Sequence, residues 1–251
     1  MSSLIATLPM YDWPERRAEV DAEWHGLRDA LRSAGLDAPG ELTRPPGNLH
    51  AVWRDPQLLL GQTCWGPMQA GLQDDVELVG QPDYSDCEGG AGVLYSSAIL
   101  MRAEEGGDQI AAPADGKADI CVERLRGKRF AYNDPLSVSG LLALSNDLEA
   151  MGAGLEIFSA RIMTGAHRAA IRCVAARKAD VCSVDCRSWM LAQAFEPAAR
   201  QMRVVGWTAL RPGLPYITSR ATPADAVALL RQVAATSSAS APHRDRTAAA
   251  C

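Results

Sequence analysis

At 251 residues the chain can form one large or two modest domains, and its 47% hydrophobic and 22% charged residues are those of a globular protein. A formal net charge of −5 leaves no basic footprint for nucleic acid or an anionic membrane surface, so an anion must be held by a local arrangement of donors. No apolar run approaches the roughly 18–20 residues that span a bilayer, which predicts a chain not embedded in a membrane.

In chain order, Leu4–Met10 reads as a short strand closed by Tyr11-Asp12-Trp13-Pro14. Val20, Trp24, Leu27 and Leu31 then recur with helical period over Glu15–Ser33, and Gly35 is a stop signal. A Pro/Gly-rich connection over Pro39–Gly47 leads to the run from Gln57, a buried strand entering a turn at Gly66-Pro67. Val76–Val79 and Gly92–Met101 read as strands, and Ile120–Leu125 as a helical turn or linker. From Lys128 three strand-to-helix passages follow. They are Lys128–Asn133 into a helix from near Ser139, Leu155–Met163 into Ala166–Arg177, and Asp180–Asp185 into Ser188–Arg200. Val204–Leu210 and Pro215–Ser219 return to strand character before an amphipathic helix over Pro223–Ala234. Short strands alternating with helices predict an α/β fold with mainly parallel sheets flanked by helices. The small, polar, aperiodic residues 236–251 predict a disordered tail.

The seven cysteines contain no C-x-x-C pair, and their odd number argues against a complete disulfide framework. Cys182 and Cys186 read as small buried thiols in the apolar run 180–186. The four histidines, at 25, 50, 167 and 243, show no zinc-ligand spacing, so neither a metal nor a cofactor is expected. The N-terminus lacks the basic n-region and continuous apolar core of a secretory signal. As written this predicts a cytoplasmic protein; a mature or misannotated start predicts a periplasmic one.

Three strand ends carry the candidate chemistry. Ser137-Val138-Ser139-Gly140 stands before an apolar helical run, where a helix N-terminus offers unpaired N–H groups and a partial charge of about +0.5. Two hydroxyls, the Val138 backbone and the absent side chain of Gly140 make it a candidate anion cradle. An ordinary serine cap explains the same residues. Thr164-Gly165-Ala166-His167 offers a glycine for close backbone approach and a histidine in the first helical turn. Arg168 reads as solvated or as a phosphate contact. Asp185 lies at the carboxyl end of a strand, where ligands bind in open α/β sheets. Beside an anion its carboxylate selects a protonated oxygen or an ammonium group; it also suits a helix cap.

With these motifs the sequence resembles the phosphate/phosphite/phosphonate substrate-binding proteins of ABC transporters. The resemblance runs to about Arg220 and rests on Ala6–Asp12, Leu60–Pro67, Asn133 with Ser137–Gly140, Thr164–His167, Ala179–Cys186 and Pro212–Tyr216. It implies a two-lobed type II periplasmic-binding-protein-like fold with two hinge crossings. The lobes would be residues 1–96 with 205–235, and 97–204, the second carrying the main oxyanion site. The resemblance also implies that Ser137, Val138, Ser139, His167 and Asp185 hold the oxyanion in an interlobe cleft, with Tyr11, the Gln62–Trp65 turn and Tyr95 closing over it. Ala166 stands where relatives often carry serine, which removes one hydroxyl. The function implied is non-catalytic binding by a substrate-binding component or solute sensor, a monomer with a permease as partner. The alternative is an enzyme on the same fold, thiaminase-like or pyrimidine-precursor-synthase-like, using Cys64 or His167.

Overall fold

The computed structural model describes residues 4–239 except 46 and 106. Its strands are β1 (Ile5–Thr7), β2 (Leu58–Gln62), β3 (Val76–Gly80), β4 (Gly90–Ala91), β5 (Leu94–Tyr95), β6 (Ser97–Arg102), β7 (Asp119–Ile120), β8 (Arg129–Tyr132), β9 (Ala160–Met163), β10 (Val181–Asp185), β11 (Met202–Trp207), β12 (Arg211–Pro212) and β13 (Tyr216–Ser219). Its helices are α1 (Arg17–Ser33), α2 (Leu49–Trp53), α3 (Trp65–Gln69), α4 (Val122–Leu125), α5 (Ala143–Ala150), α6 (His167–Ala175), α7 (Cys186–Phe195) and α8 (Ala224–Ala239).

The chain divides into two compact units. The first gathers the described residues up to Thr63, Gly71–Asp86 and those from Leu214 onward; the second is Cys64–Ala70 with Cys87–Gly213. In the first, the sheet order is β1-β2-β13-β3, and only the β1–β2 pair is parallel. The helical period of α1 turns Val20, Trp24 and Leu31 into a core with Leu59, Leu60 and Val79 from the sheet and Leu230 and Val233 from α8. Gly35, at φ 87°, takes the left-handed conformation just past α1.

The second unit holds a sheet of order β7-β11-β6-β10-β8-β9 and a small antiparallel sheet, β12-β5-β4. Phe130 and Phe158 stack at 4.8 Å between ring centroids in a core with Ile99, Met101, Leu144, Leu148 and Val181. Here β10, β8 and β9 run parallel, while β6 is antiparallel to β10 and β11 to β6. The expected mainly parallel sheets are therefore mixed sheets. Parallel neighbours need a helical crossover, which α5 and α6 supply between β8, β9 and β10; β6 follows β5 without one and lies antiparallel between β10 and β11, which α7 connects.

The expected lobe boundaries also move. Residues 87–96 and 205–213 belong to the second unit, because β4, β5 and β12 pair with one another and β11 pairs with β6. Beyond the two expected crossings, 64–70 forms a separate excursion into that unit. Part of the turn expected after β2 is helix α3, in which Pro67 falls where helical N–H groups lack intrahelical partners anyway. Of Leu155–Met163, only 160–163 is strand; Leu155–Ile157 is a 3₁₀ turn. The last helix reaches Ala239, past the expected start of the tail at 236; residues 240–251, including His243 and Cys251, lie outside the described residues.

Candidate functional site

Because β10, β8 and β9 are parallel neighbours, their carboxyl ends reach one edge of the second unit's sheet. That edge carries all three candidate motifs. After β8, Asp134 makes an Asx turn by accepting from Leu136 N at 2.7 Å, which delivers Ser137 in extended conformation. Val138–Leu142 is a π-helical turn leading into α5. Ser137 Oγ caps it, accepting from Gly140 N at 3.1 Å. A Cβ on Gly140 would lie 1.8 Å from Asn133 Oδ1, so only glycine fits beneath that amide.

The amide donors expected at this turn are partly committed. Gly140 N is taken by the Ser137 hydroxyl, and Val138 N donates to Cys64 Sγ at 3.5 Å. Cys64 reaches Val138 because its segment is fastened to the same unit. Trp65 Nε1 donates to Gly213 O at 2.7 Å, and α3 packs so closely that a Cβ on Gly66 would lie 1.6 Å from Leu136 O. The structure thus replaces an open row of N–H groups with a cluster of side chains.

After β9, Thr164 N donates to Tyr132 O and Gly165 N to Asn133 O, at 2.8 and 2.9 Å, tying this loop to the end of β8. Gly165 has φ 82°, a left-handed conformation that disfavours a side chain. Ala166 offers no side-chain cap to α6, which begins at His167. His167 Nε2 lies 2.9 Å from Ser139 Oγ and 3.4 Å from both Asn133 Nδ2 and Asp185 Oδ2. Ser139 is itself fixed through its carbonyl, which accepts from Ser183 Oγ at 2.7 Å. Asp185 is 2% exposed, and its Oδ1 caps α7 by accepting from Ser188 N at 2.8 Å. Capping and facing the histidine thus use different oxygens.

Burial pushes the His167 pKa below its ordinary value, with the Asp185 charge opposing the shift. The imidazole is therefore neutral at neutral pH, and Asp185 supplies the cluster's negative charge. The Arg168 guanidinium lies 2.7 Å from Glu196 Oε2 and also donates to Phe195 O. Asn133 Oδ1 is buried with no protein hydrogen-bond partner, while the Ser183 backbone also engages the His167 ring. Val138 also lines a cavity of about 430 Å³ with Trp65, Leu142, Asn146 and Arg211, the last of these paired to Asp147 at 2.5 Å.

The structure therefore brings Ser137, Ser139, Gly140, His167 and Asp185 together, with Gly165 shaping the adjoining loop. Asn133 and Ser183 belong to the same cluster. Asn133 stood within the recognised motif without a role, and Ser183 is an inward-facing position of β10 that strand periodicity alone marks as core. Tyr95 is buried in β5, opposite Gly90 and Arg211. Tyr11 and Gln62 belong to the first unit. There the Tyr11 hydroxyl lies 3.1 Å from that of Tyr84, and Gln62 O accepts from the Trp53 indole at 3.1 Å. Cys64 does not have the environment of an activated nucleophile, because burial pushes its thiol up.

Comparison with known proteins gives a consistent relationship. The profile of a family described as "ABC transporter, phosphonate, periplasmic substrate-binding protein" matches residues 66–248. No curated protein matches the chain. Among solved structures, it is similar to PhnD1 from Prochlorococcus marinus in complex with methylphosphonate, with 16% identity, a TM-score of 0.66, and coverage of 92% of this chain and 83% of that one. It is also similar to a binding protein component of an ABC phosphonate transporter from Pseudomonas aeruginosa, with 15% identity, a TM-score of 0.64, and coverage of 92% and 74%. A Xanthomonas citri protein bound to chloride ion shares 17% identity at a TM-score of 0.63, over 93% of this chain and 83% of its own. At these identities the solved structures establish the two-lobed periplasmic-binding-protein fold.

Proposed function

This chain belongs to the phosphonate periplasmic substrate-binding protein family of ABC transporters, and from that premise we propose that Ser137, Ser139, His167 and Asp185 hold the oxyanion head of a small phosphonate, phosphite or phosphate. The family is one of binding proteins rather than enzymes, and it works with a transporter. The observation that carries the reading is the run of contacts from Ser137 Oγ to Ser139 Oγ at 3.5 Å, on to His167 Nε2 at 2.9 Å and from there to Asp185 Oδ2 at 3.4 Å, at the carboxyl ends of three parallel strands.

The chemistry follows from the charges. A neutral His167 and an ionised Asp185 repel a dianion, whereas a monoprotonated oxyanion donates its proton to a carboxylate and accepts from hydroxyls and imidazole. Asn133 Oδ1, buried without a protein partner, is a further acceptor for such a proton or for an ammonium substituent. Methylphosphonate, the ligand of the Prochlorococcus protein, is the first candidate here. Ala166 supplies no hydroxyl at the start of α6, which disfavours tight selection for phosphate. Tyr95 completes the binding set in this reading. The protein acts in the periplasm as a monomeric carrier to a permease, and light scattering of the purified chain checks the monomer.

Isothermal titration with methylphosphonate, phosphite, phosphate and aminoethylphosphonate tests the site. Ser139→Ala should weaken binding about tenfold, the value of roughly one such hydrogen bond. Affinity should fall between about pH 6 and pH 8.5 as the ligand loses its last proton, and Asp185→Asn should flatten that dependence. No heat with any of the four, or a Ser139→Ala protein that binds like wild type, sinks the assignment.

A further inference from the structure

The cavity beside Val138 is built from side chains of the second unit alone. One wall is a stripe running from the π-helical turn into α5, where Val138, Leu142 and Asn146 recur every fourth residue and so share one face. Trp65 and Gln69, with the same spacing on α3, form the facing wall, and Pro212 of β12 closes a third side. The volume of about 430 Å³ falls within the range of small-molecule sites.

These walls are held in place and carry no net charge. Trp65 Nε1 donates to Gly213 O at 2.7 Å, which fixes the indole next to Pro212. Arg211 also lines the cavity, but its guanidinium is engaged within the protein. Its Nη1 donates to Asp147 Oδ2 at 3.1 Å and Ala209 O at 2.8 Å, and its Nη2 to Asp147 Oδ1 at 2.5 Å and Ala143 O at 3.2 Å. The Asp147 carboxylate offsets the guanidinium charge, and none of the lining residues is acidic. The cavity therefore draws neither a second anion nor an ammonium group. It offers the apolar surfaces of Trp65, Val138, Leu142 and Pro212, with the exposed amide residues Gln69 and Asn146 beside them.

Val138 joins this cavity to the oxyanion cluster. It stands between Ser137 and Ser139, whose Cα atoms are each about 3.8 Å from its own. Val138 N donates to Cys64 Sγ at 3.5 Å, and Cys64 directly precedes Trp65. Both long walls thus begin next to the cluster.

We propose that the cavity receives the carbon-bound substituent of the phosphonate, and that this substituent is uncharged and apolar, an alkyl chain of several carbons or an aromatic ring. This rests on the assignment of the oxyanion head to Ser137, Ser139, His167 and Asp185. A methyl group is too short to cover the apolar stripe, and phosphate and phosphite have no carbon substituent to place there. Each methylene that enters leaves water for the indole, valine and leucine surfaces, and this gain is absent for an ammonium group, which would lose hydration without meeting an unpaired carboxylate.

Titration calorimetry of the full chain with methyl-, propyl-, phenyl- and 2-aminoethylphosphonate tests this. The propyl and aminoethyl chains match in length and differ in a terminal methyl against an ammonium. Propylphosphonate should bind at least about fourfold tighter than methylphosphonate, at roughly two- to fourfold per methylene partly or fully buried. Phenylphosphonate should also bind more tightly than methylphosphonate, and 2-aminoethylphosphonate no more tightly. Leu142→Asn should bring the propyl-to-methyl affinity ratio to within about twofold of one, and Asn146→Leu, at an exposed position, should raise it. The second variant keeps the test decisive if the first folds poorly. Methylphosphonate binding with propyl and phenyl no tighter, or a ratio that Asn146→Leu leaves unmoved, overturns the inference and leaves the oxyanion assignment standing. Aminoethylphosphonate binding more tightly than propylphosphonate overturns it as well. No heat with any of the four overturns both.

Discussion

Gly140 illustrates how one residue serves the site for a reason that only its neighbours disclose. As part of Ser-x-Ser-Gly it reads as an opening for ligand approach. In the structure the side-chain amide of Asn133 fills the space in which a Cβ would stand, 1.8 Å from its Oδ1, with Ser137 Oγ at 3.2 Å. Gly140→Ala must push Asn133 away from His167 or distort the π-helical turn. The expected cost is about 1–3 kcal/mol in urea denaturation, together with weakened oxyanion binding by titration calorimetry. The serine motif was legible at residue scale because it is local. The engagement of Val138 N by Cys64 was not, since it joins residues 74 positions apart.

At the scale of elements, the parallel trio β10-β8-β9 determines where the site lies, and Asp180 anchors that trio at its opposite end. Its carboxylate accepts from Arg129 N and Nε, both at 2.9 Å, from the Arg129 guanidinium at 2.7 Å and from Arg102 at 3.1 Å, joining the starts of β8 and β10 to the end of β6. The Arg129 hydrogen bonds hold the Asp180 pKa well below the ordinary carboxylate range. A depressed folded pKa stabilises the protein above the unfolded value of about 3.9, and this contribution is lost as pH falls through the folded one. Asp180→Asn should therefore lower stability by about 1–3 kcal/mol at neutral pH, with the gap to wild type closing as the medium becomes strongly acidic. Denaturation midpoints of both proteins across that pH range check it. Strand and helix periodicity revealed most of these elements. Strand direction was misjudged, because alternation of strands and helices signals crossovers but is silent about strands that return without one.

For the molecule as a whole, each unit carries its own core. Trp24 on α1 is fully buried in the first, and its indole N–H has no protein partner. Its contribution is thus packing and apolar burial, reduced by one unpaired donor. Trp24→Ala should cost about 3–5 kcal/mol, and Trp24→Phe distinctly less, as measured by the shift in urea midpoint. The family relationship and the two-lobed α/β fold could be reached from the sequence, because helical period, short apolar strands and the Ser-x-Ser-Gly and Thr-Gly-x-His motifs are encoded within a few neighbouring residues. Only the tertiary structure decided that 87–96 and 205–213 join the second unit, that the sheets are mixed, and that Asn133 and Ser183 support the serine–histidine–aspartate cluster. Each of these depends on hydrogen bonds and packing between segments far apart in the chain, whose partners are selected by the competition of whole elements for one core and one sheet edge.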